Sequence, residues 1–284
     1  MSAFVDTTRA RLSRCRTQPE YYAVQLDIMK FATPRDYRAL VDATPEEGWV
    51  PQFNEWLARQ YDNMMTPGWE LSDFALAAGD DAASLYSEGA GRSRLAIGFG
   101  GRAELLFLPA ATILQYFAAD ADVLVLRDFS KRGFTRGLAG YGDTFAEMID
   151  GLRDTFELAG YGSVRCLGTS GSGAAALAAG VVLDAERAVS FCGFLPSGGS
   201  RGGEEGEMTL EVEDLLRRSE GSTERFIAVY GEEERRDARN AKRLAEAFAV
   251  ALHPVPDVDD HNIIRRLHAQ GRLMGVLRDV GLVG

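Results

Sequence analysis

With 284 residues, 46% of them hydrophobic and 26% charged, the chain is long enough for one sizeable core and has the composition of a soluble globular protein. A formal net charge of -11 argues against a broad nucleic-acid surface or an anionic-membrane surface, so neither partner is expected. Met1-Ser2-Ala3-Phe4-Val5-Asp6 has no basic start leading into an apolar run, no stretch approaches bilayer length, and Cys15, Cys166 and Cys192 show no paired spacing. A cytoplasmic protein with reduced, structural thiols is expected, and no Cys/His cluster calls for a metal or cofactor.

Residues 1–65 are rich in charged and aromatic residues and read as several helices. Tyr21, Tyr22, Leu26, Met29 and Phe31 form one apolar set, Phe53, Trp56, Leu57 and Tyr61 another, with Pro34, Pro45 and Pro51 as punctuation. This region is expected to be a helical cap or appendage on a main domain over residues 66–284, with no chemistry of its own to assign. From Trp69 the pattern turns towards strands, with Asp80-Asp81 as a turn and an apolar run at 95–99 that ends in Gly100-Gly101. A helix over 111–119, a buried strand at Asp122–Leu126 and a helix with Phe145, Met148, Ile149, Leu152 and Phe156 on one face follow.

Ser163-Val164-Arg165-Cys166-Leu167 then passes into Gly168-Thr169-Ser170-Gly171-Ser172-Gly173 and a run of small helix formers, which reads strand, tight turn, helix. Further strands are expected at 188–192, 226–230 and 252–255. A flexible connection is expected at 197–203, a helix with Ala241, Leu244, Ala245 and Phe248 inward, and one last helix through Ile263, Leu267, Met274 and Leu277. Alternating strands and helices imply an α/β fold, a mostly parallel sheet with helices on both faces.

The turn around Ser170 is close to G-x-S-x-G, a signature of a serine held in strained backbone above a sheet edge, but Ser172 stands where the second glycine is usual. A serine hydroxyl attacks only when a base takes its proton and a third group orients that base. Of the three histidines, His253 falls in a short strand and His268 inside the last helix, each with a plain structural reading. His261 lies in the loop after the last strand, on the rim where strand ends converge, and is the expected base. The loop after the strand at 226–230 supplies the acid: Asp237 is favoured by chain order, Glu234 is the alternative, and a helix cap is the bland reading of Asp237. The amide of Gly171 and the Gly100-Gly101 loop are the expected oxyanion donors.

Taken together, Phe99-Gly100-Gly101, Leu126-Arg127-Asp128, the Gly168 to Ala175 turn, Tyr230-Gly231 with Asp237, and His261 with Leu267 and Gly271 resemble the α/β-hydrolase superfamily. More narrowly they are similar to small bacterial hydrolase-like domains. The resemblance spans about 95–277 and implies Ser170 as nucleophile, Asp237 as acid and His261 as base. Arg127, Arg132 and Arg136, in a basic loop after a strand, are candidates to hold an anionic or carrier-bound acyl substrate; a solvated surface is the plainer reading of the same charges. Two loose G-x-G-x-x-A stretches lack the acid that dinucleotide binding needs at the right strand end. The expected function is hydrolysis of a small-molecule ester or thioester through an acyl-enzyme. An acyltransferase using the same residues, a non-catalytic binding protein of the same fold, and assembly into a homo-oligomer are the alternatives left open.

Overall fold

The computed structural model describes residues 2–43, 51–66, 68–89, 91–118, 120–195, 204–218 and 224–284. The apolar runs become strands β1 (Ala75–Gly79), β2 (Ala83–Ser87), β3 (Arg94–Phe99), β4 (Asp122–Leu126), β5 (Ser163–Thr169), β6 (Arg187–Phe191), β7 (Phe226–Gly231) and β8 (Ala251–Val255). They form one sheet in the order β1-β2-β4-β3-β5-β6-β7-β8. The pairs from β4 through β8 are parallel, whereas β1 with β2 and β2 with β4 are antiparallel. Asp80 makes the first turn tight enough, its Oδ1 accepting the amides of Ala82 and Ala83 at 2.8 and 2.9 Å.

Side chains alternate across the strands, as a sheet covered on both faces requires. Leu124, Leu126, Ile97, Phe99 and Cys166 face one layer, while Val123, Val125, Ala96 and Leu167 face the other. The first layer is made by α6 (Phe145–Thr155), α7 (Gly173–Val182), α8 (Glu204–Arg217) and α9 (Arg235–Ala247); the second by α5 (Ala110–Phe117), α10 (Ile263–Ala269) and α11 (Leu273–Asp279). Small residues dominate α7 because it lies against the sheet: a Cβ on Gly180 would stand 2.5 Å from that of Ala188.

The N-terminal segment forms α1 (Ala3–Leu12), α2 (Gln18–Phe31), α3 (Pro34–Asp42) and α4 (Pro51–Met64). Pro34 starts α3 behind a Thr33/Asp36 capping box, so it punctuates as expected, and Pro51 opens α4. Pro45 lies outside the described residues. On α2 the buried stripe is Val24 and Ile28, one helical turn apart, rather than the expected set: Tyr22 is 60% exposed. The four helices share a core that reaches Ala111 of α5.

Two expectations along the chain differ from the structure. The single last helix is two, α10 and α11, because Gly271 takes φ +67° between them, a conformation that lets the chain turn where a Cβ would be strained. A helix unforeseen in sequence, α8, precedes β7, its pattern hidden by mixed charge and a glycine. The expected flexible connection at 197–203 lies outside the described residues.

Candidate active site

Ser170 stands between the end of β5 and the start of α7 with φ +54°, a left-handed conformation that costs a non-glycine residue about 1–3 kcal/mol. The turn closes because its neighbours are small where they must be. A Cβ on Gly168 would lie 2.5 Å from the Ser172 carbonyl oxygen and 2.7 Å from the Ala176 Cβ, and one on Gly173 would lie 2.2 Å from Ser190 Oγ. The second obligatory glycine is thus Gly173, and Ser172 is free to carry a side chain. Its hydroxyl is buried and lies 2.8 Å from the Thr169 carbonyl and 2.9 Å from the carbonyls of Phe99 and Gly100, with one proton to share among them. It ties the turn to the loop after β3.

Strand ends bring the other residues to Ser170. His261, in the loop between β8 and α10, places Nε2 2.9 Å from Ser170 Oγ and Nδ1 2.9 Å from both carboxylate oxygens of Asp237. Asp237 is buried in the first turn of α9, while Glu234 caps that helix by accepting the Arg236 amide at 2.9 Å. The cap and the carboxylate facing His261 are therefore different residues. The Asp237 hydrogen bond raises the His261 pKa above its ordinary value, against the opposing effect of burial.

Sequence reasoning missed Cys192, which follows β6 with φ +51° and lies beside Asp237. Burial pushes its thiol pKa up, and the neighbouring Asp237 carboxylate adds to the shift, so the thiol stays protonated beside that carboxylate. Cys192, Asp237 and His261 offer ligand atoms within 4.8 Å of one another. As a metal site the set fits poorly, because both ring nitrogens of His261 already have partners and the thiol is held protonated. No spacing in the chain announces Cys192; only the β6–β7 pairing brings it under the acid.

The oxyanion expectation needs correction at two residues. The Gly100 amide donates to Leu126 O at 3.0 Å and the Gly101 amide to Leu105 O at 2.9 Å, so neither N–H is available to a ligand. The next two amides, Arg102 and Ala103, donate to no group among the described residues, and both residues line the cavity above Ser170. Gly171 opens the helical turn, where the first amides lack intrahelical acceptors.

Arg127 is a second correction. It is wholly buried, stacked 4.5 Å from the Phe31 ring centroid, and donates to Ser84 Oγ at 2.8 Å and to the Lys30 carbonyl at 2.5 Å. It joins α2 to the sheet and does not line the cavity. Arg132 and Arg136 do line it. Their loop is shaped by Asp128, which accepts the amides of Ser130, Arg132 and Phe134 at 2.9, 2.8 and 3.0 Å. Gly133, at φ +65°, lets the loop touch the turn: a Cβ there would lie 2.6 Å from Gly171 O.

The cavity has a volume of about 1590 Å³ and includes Met29, Trp56 and Met65 from the N-terminal segment. His268 holds that segment in place rather than facing solvent. Its Nε2 lies 2.7 Å from the Asn63 carbonyl and its Nδ1 2.7 Å from the Tyr116 hydroxyl, which fixes Nε2 as the protonated nitrogen. Burial lowers its pKa, in keeping with a neutral ring. His253 is half-buried in edge strand β8, away from the cavity.

No family model and no curated relative matches the chain. Among solved structures it is similar to an α/β hydrolase from the metagenome of sediments from the lagoon of Mar Chica, Morocco, at 12% identity over 72% of this chain and 98% of that one, with a TM-score of 0.47. It is also similar to an esterase described as putative from Staphylococcus aureus, at 10% identity over 89% and 96% of the two chains, TM-score 0.46. A third is brefeldin A esterase, a bacterial homologue of human hormone-sensitive lipase, at 16% identity over 88% and 85%, TM-score 0.45. Among the described residues no helix is long and apolar enough to cross a membrane. The connectivity carries the assignment: a serine on the sharp turn between a central parallel strand and its helix, with an aspartate and then a histidine on the loops after later strands. The chain has the α/β-hydrolase fold.

Proposed function

We propose that the protein is a serine hydrolase that cleaves an ester or thioester of a small molecule through an acyl-enzyme. The observation that carries this reading is the continuous hydrogen-bonded series from the buried Asp237 carboxylate through His261 to Ser170 Oγ, each link 2.9 Å. As Ser170 Oγ attacks the carbonyl carbon, its proton passes to His261 Nε2 and the carbonyl π pair moves onto oxygen. The amides of Gly171 and of Arg102 or Ala103 hold that oxyanion, each donor worth about 3–4 kcal/mol to the transition state. Collapse expels the alcohol or thiol, which takes the proton from Nε2, and leaves the acyl-serine. Water then attacks, gives its proton to Nε2, and the second collapse returns the proton to Ser170 Oγ with release of the acid. Throughout, Asp237 accepts from Nδ1–H and stabilises the imidazolium without taking the proton.

The N-terminal helices act in this reading as a cap, because residues of α2 and α4 complete the cavity wall. A fluorophosphonate probe followed by intact mass measurement tests the assignment: one adduct is expected on the native protein and none on Ser170→Ala, with loss of esterase turnover and an unchanged unfolding temperature. Turnover of the variant at the native rate would remove Ser170 from the mechanism.

A further inference from the structure

The cavity carries a charge asymmetry that acyl chemistry alone does not require. Arg102, Lys131, Arg132, Arg136, Arg236 and Arg265 all line it, from four separate segments of a chain whose net charge is -11. Among the described residues that line it, Asp128 is the single carboxylate, and it is turned inward, 5% exposed and occupied by backbone amides. All six cations are exposed. Among the described residues Arg102, Lys131, Arg236 and Arg265 form no ion pair.

The rest of the wall is apolar, with Met29, Trp56 and Met65 from the N-terminal helices and Leu105, Phe107 and Leu108 from the loop before α5. At about 1590 Å³ the cavity also exceeds the roughly 300–1,000 Å³ usual for small ligands. An exposed cation by itself contributes little, but several beside a low-dielectric wall focus a field on the opening and raise the local concentration of anions. Guanidinium groups add paired donors that match carboxylate and phosphate oxygens.

On the hydrolase reading of Ser170, we infer that the substrate is an acyl ester or thioester with an apolar body and an anionic group, carboxylate or phosphate, besides the scissile bond. The apolar part lies against the N-terminal helices and the anion seats on the cationic arc.

The experiment compares p-nitrophenyl esters of one chain length that end in methyl, carboxylate or phosphate. At an ionic strength of about 0.02 M the anionic esters are expected to exceed the methyl ester in kcat/KM by about tenfold or more, and the advantage should shrink towards unity at about 0.5 M salt. Whichever anionic ester leads identifies the group. Arg132→Gln and Arg265→Gln should each lower the anionic-to-neutral ratio several-fold at an unchanged unfolding temperature. Equal kcat/KM for all three esters, or a ratio that neither variant moves, overturns the inference and leaves the hydrolase reading standing. If no ester is turned over, calorimetric titration of native protein with the uncleavable amide counterparts decides: preferential binding of the anionic amides upholds the anion site while the hydrolase reading falls, and indifferent or absent binding overturns both.

Discussion

Replacing Ser172 with glycine would restore the usual G-x-S-x-G spelling around Ser170, and on the motif alone it should be neutral or beneficial. The structure requires the opposite. The Ser172 hydroxyl is buried against the carbonyls of Thr169, Phe99 and Gly100, at 2.8 to 2.9 Å. A buried hydrogen bond contributes about 1 kcal/mol net, and a glycine at the start of α7 adds about 0.5–1 kcal/mol of backbone entropy to the cost of folding. Ser172→Gly should therefore lose about 2 kcal/mol, and Ser172→Ala, which keeps the backbone restraint, about 1 kcal/mol. Activity should fall in both, because the hydroxyl fixes the loop that presents the Arg102 and Ala103 amides. Loss of part of one oxyanion donor, about 1.4 kcal/mol, is about tenfold in kcat. Urea denaturation and steady-state hydrolysis of a short p-nitrophenyl ester measure the two effects. A glycine variant as stable and as fast as the native protein would refute the tether and return the position to an ordinary elbow glycine.

The other expectations are simpler. His261 must be neutral to accept the Ser170 proton, and its pKa is raised by the Asp237 hydrogen bond, so kcat/KM should fall as pH drops through a midpoint above the ordinary histidine value of about 6.5; an acid limb centred at or below that value contradicts the pairing. Cys192→Ala removes the protonated thiol packed beside the Asp237 carboxylate and should lower kcat by about three- to tenfold and move the acid limb upward, whereas Cys192→Ser keeps a protic group there and should restore both, since a polar contact of this kind is worth roughly 0.5–1.5 kcal/mol. A purely structural thiol would leave the pH profile in place. Arg127→Met leaves the Lys30 carbonyl and Ser84 hydroxyl without their donor, only partly offset by removing a buried charge, and should destabilise the protein by about 2–4 kcal/mol by denaturant titration. A fully stable Arg127→Met protein with weakened anionic-ester hydrolysis would give Arg127 back a role at the substrate.

Strands β3, β4, β6 and β7 were legible because each is a short, largely apolar run with Gly or Asp at its end or within two residues of it, and the residues meeting at Ser170 were legible because the parallel strands send their carboxyl ends to the same rim. Given β5, β7 and β8 in one sheet, Ser170, Asp237 and His261 had little choice of neighbourhood. What stayed open, or failed, was what one side chain's direction decides. Asp237 and Glu234 stand three residues apart at the start of α9, both chemically fit to cap it, and only the helix's rotation against β7 turns one inward and leaves the other at the N-terminus. Arg127 fails as a ligand for a similar reason. It sits one residue beyond β4, still close enough to the strand for its amide to donate to Ala82 O, so its side chain follows the sheet's alternation into the interior. The basic loop's cationic cavity residues begin later, at Lys131.

The loop after β3 shows the same limit from the backbone's side. Two successive glycines suggest amides left bare for a ligand, yet glycine is needed there for a different reason: a Cβ on Gly100 would lie 3.0 Å from Leu126 O, and one on Gly101 would lie 2.9 Å from Thr169 Oγ1. They allow close packing against β4 and β5, and that packing consumes the Gly100 amide through the extension of the parallel ladder and the Gly101 amide through the turn to Leu105. The amides that remain belong to Arg102 and Ala103, residues with no glycine signature. Small residues thus mark where two backbones touch, and the amides left without a backbone acceptor follow one step later, where the chain has left the sheet. At the serine turn the same rule holds: Gly168 and Gly173 mark the contacts, and Ser172, between them, uses its side chain to bind the two loops into one rigid frame around Ser170.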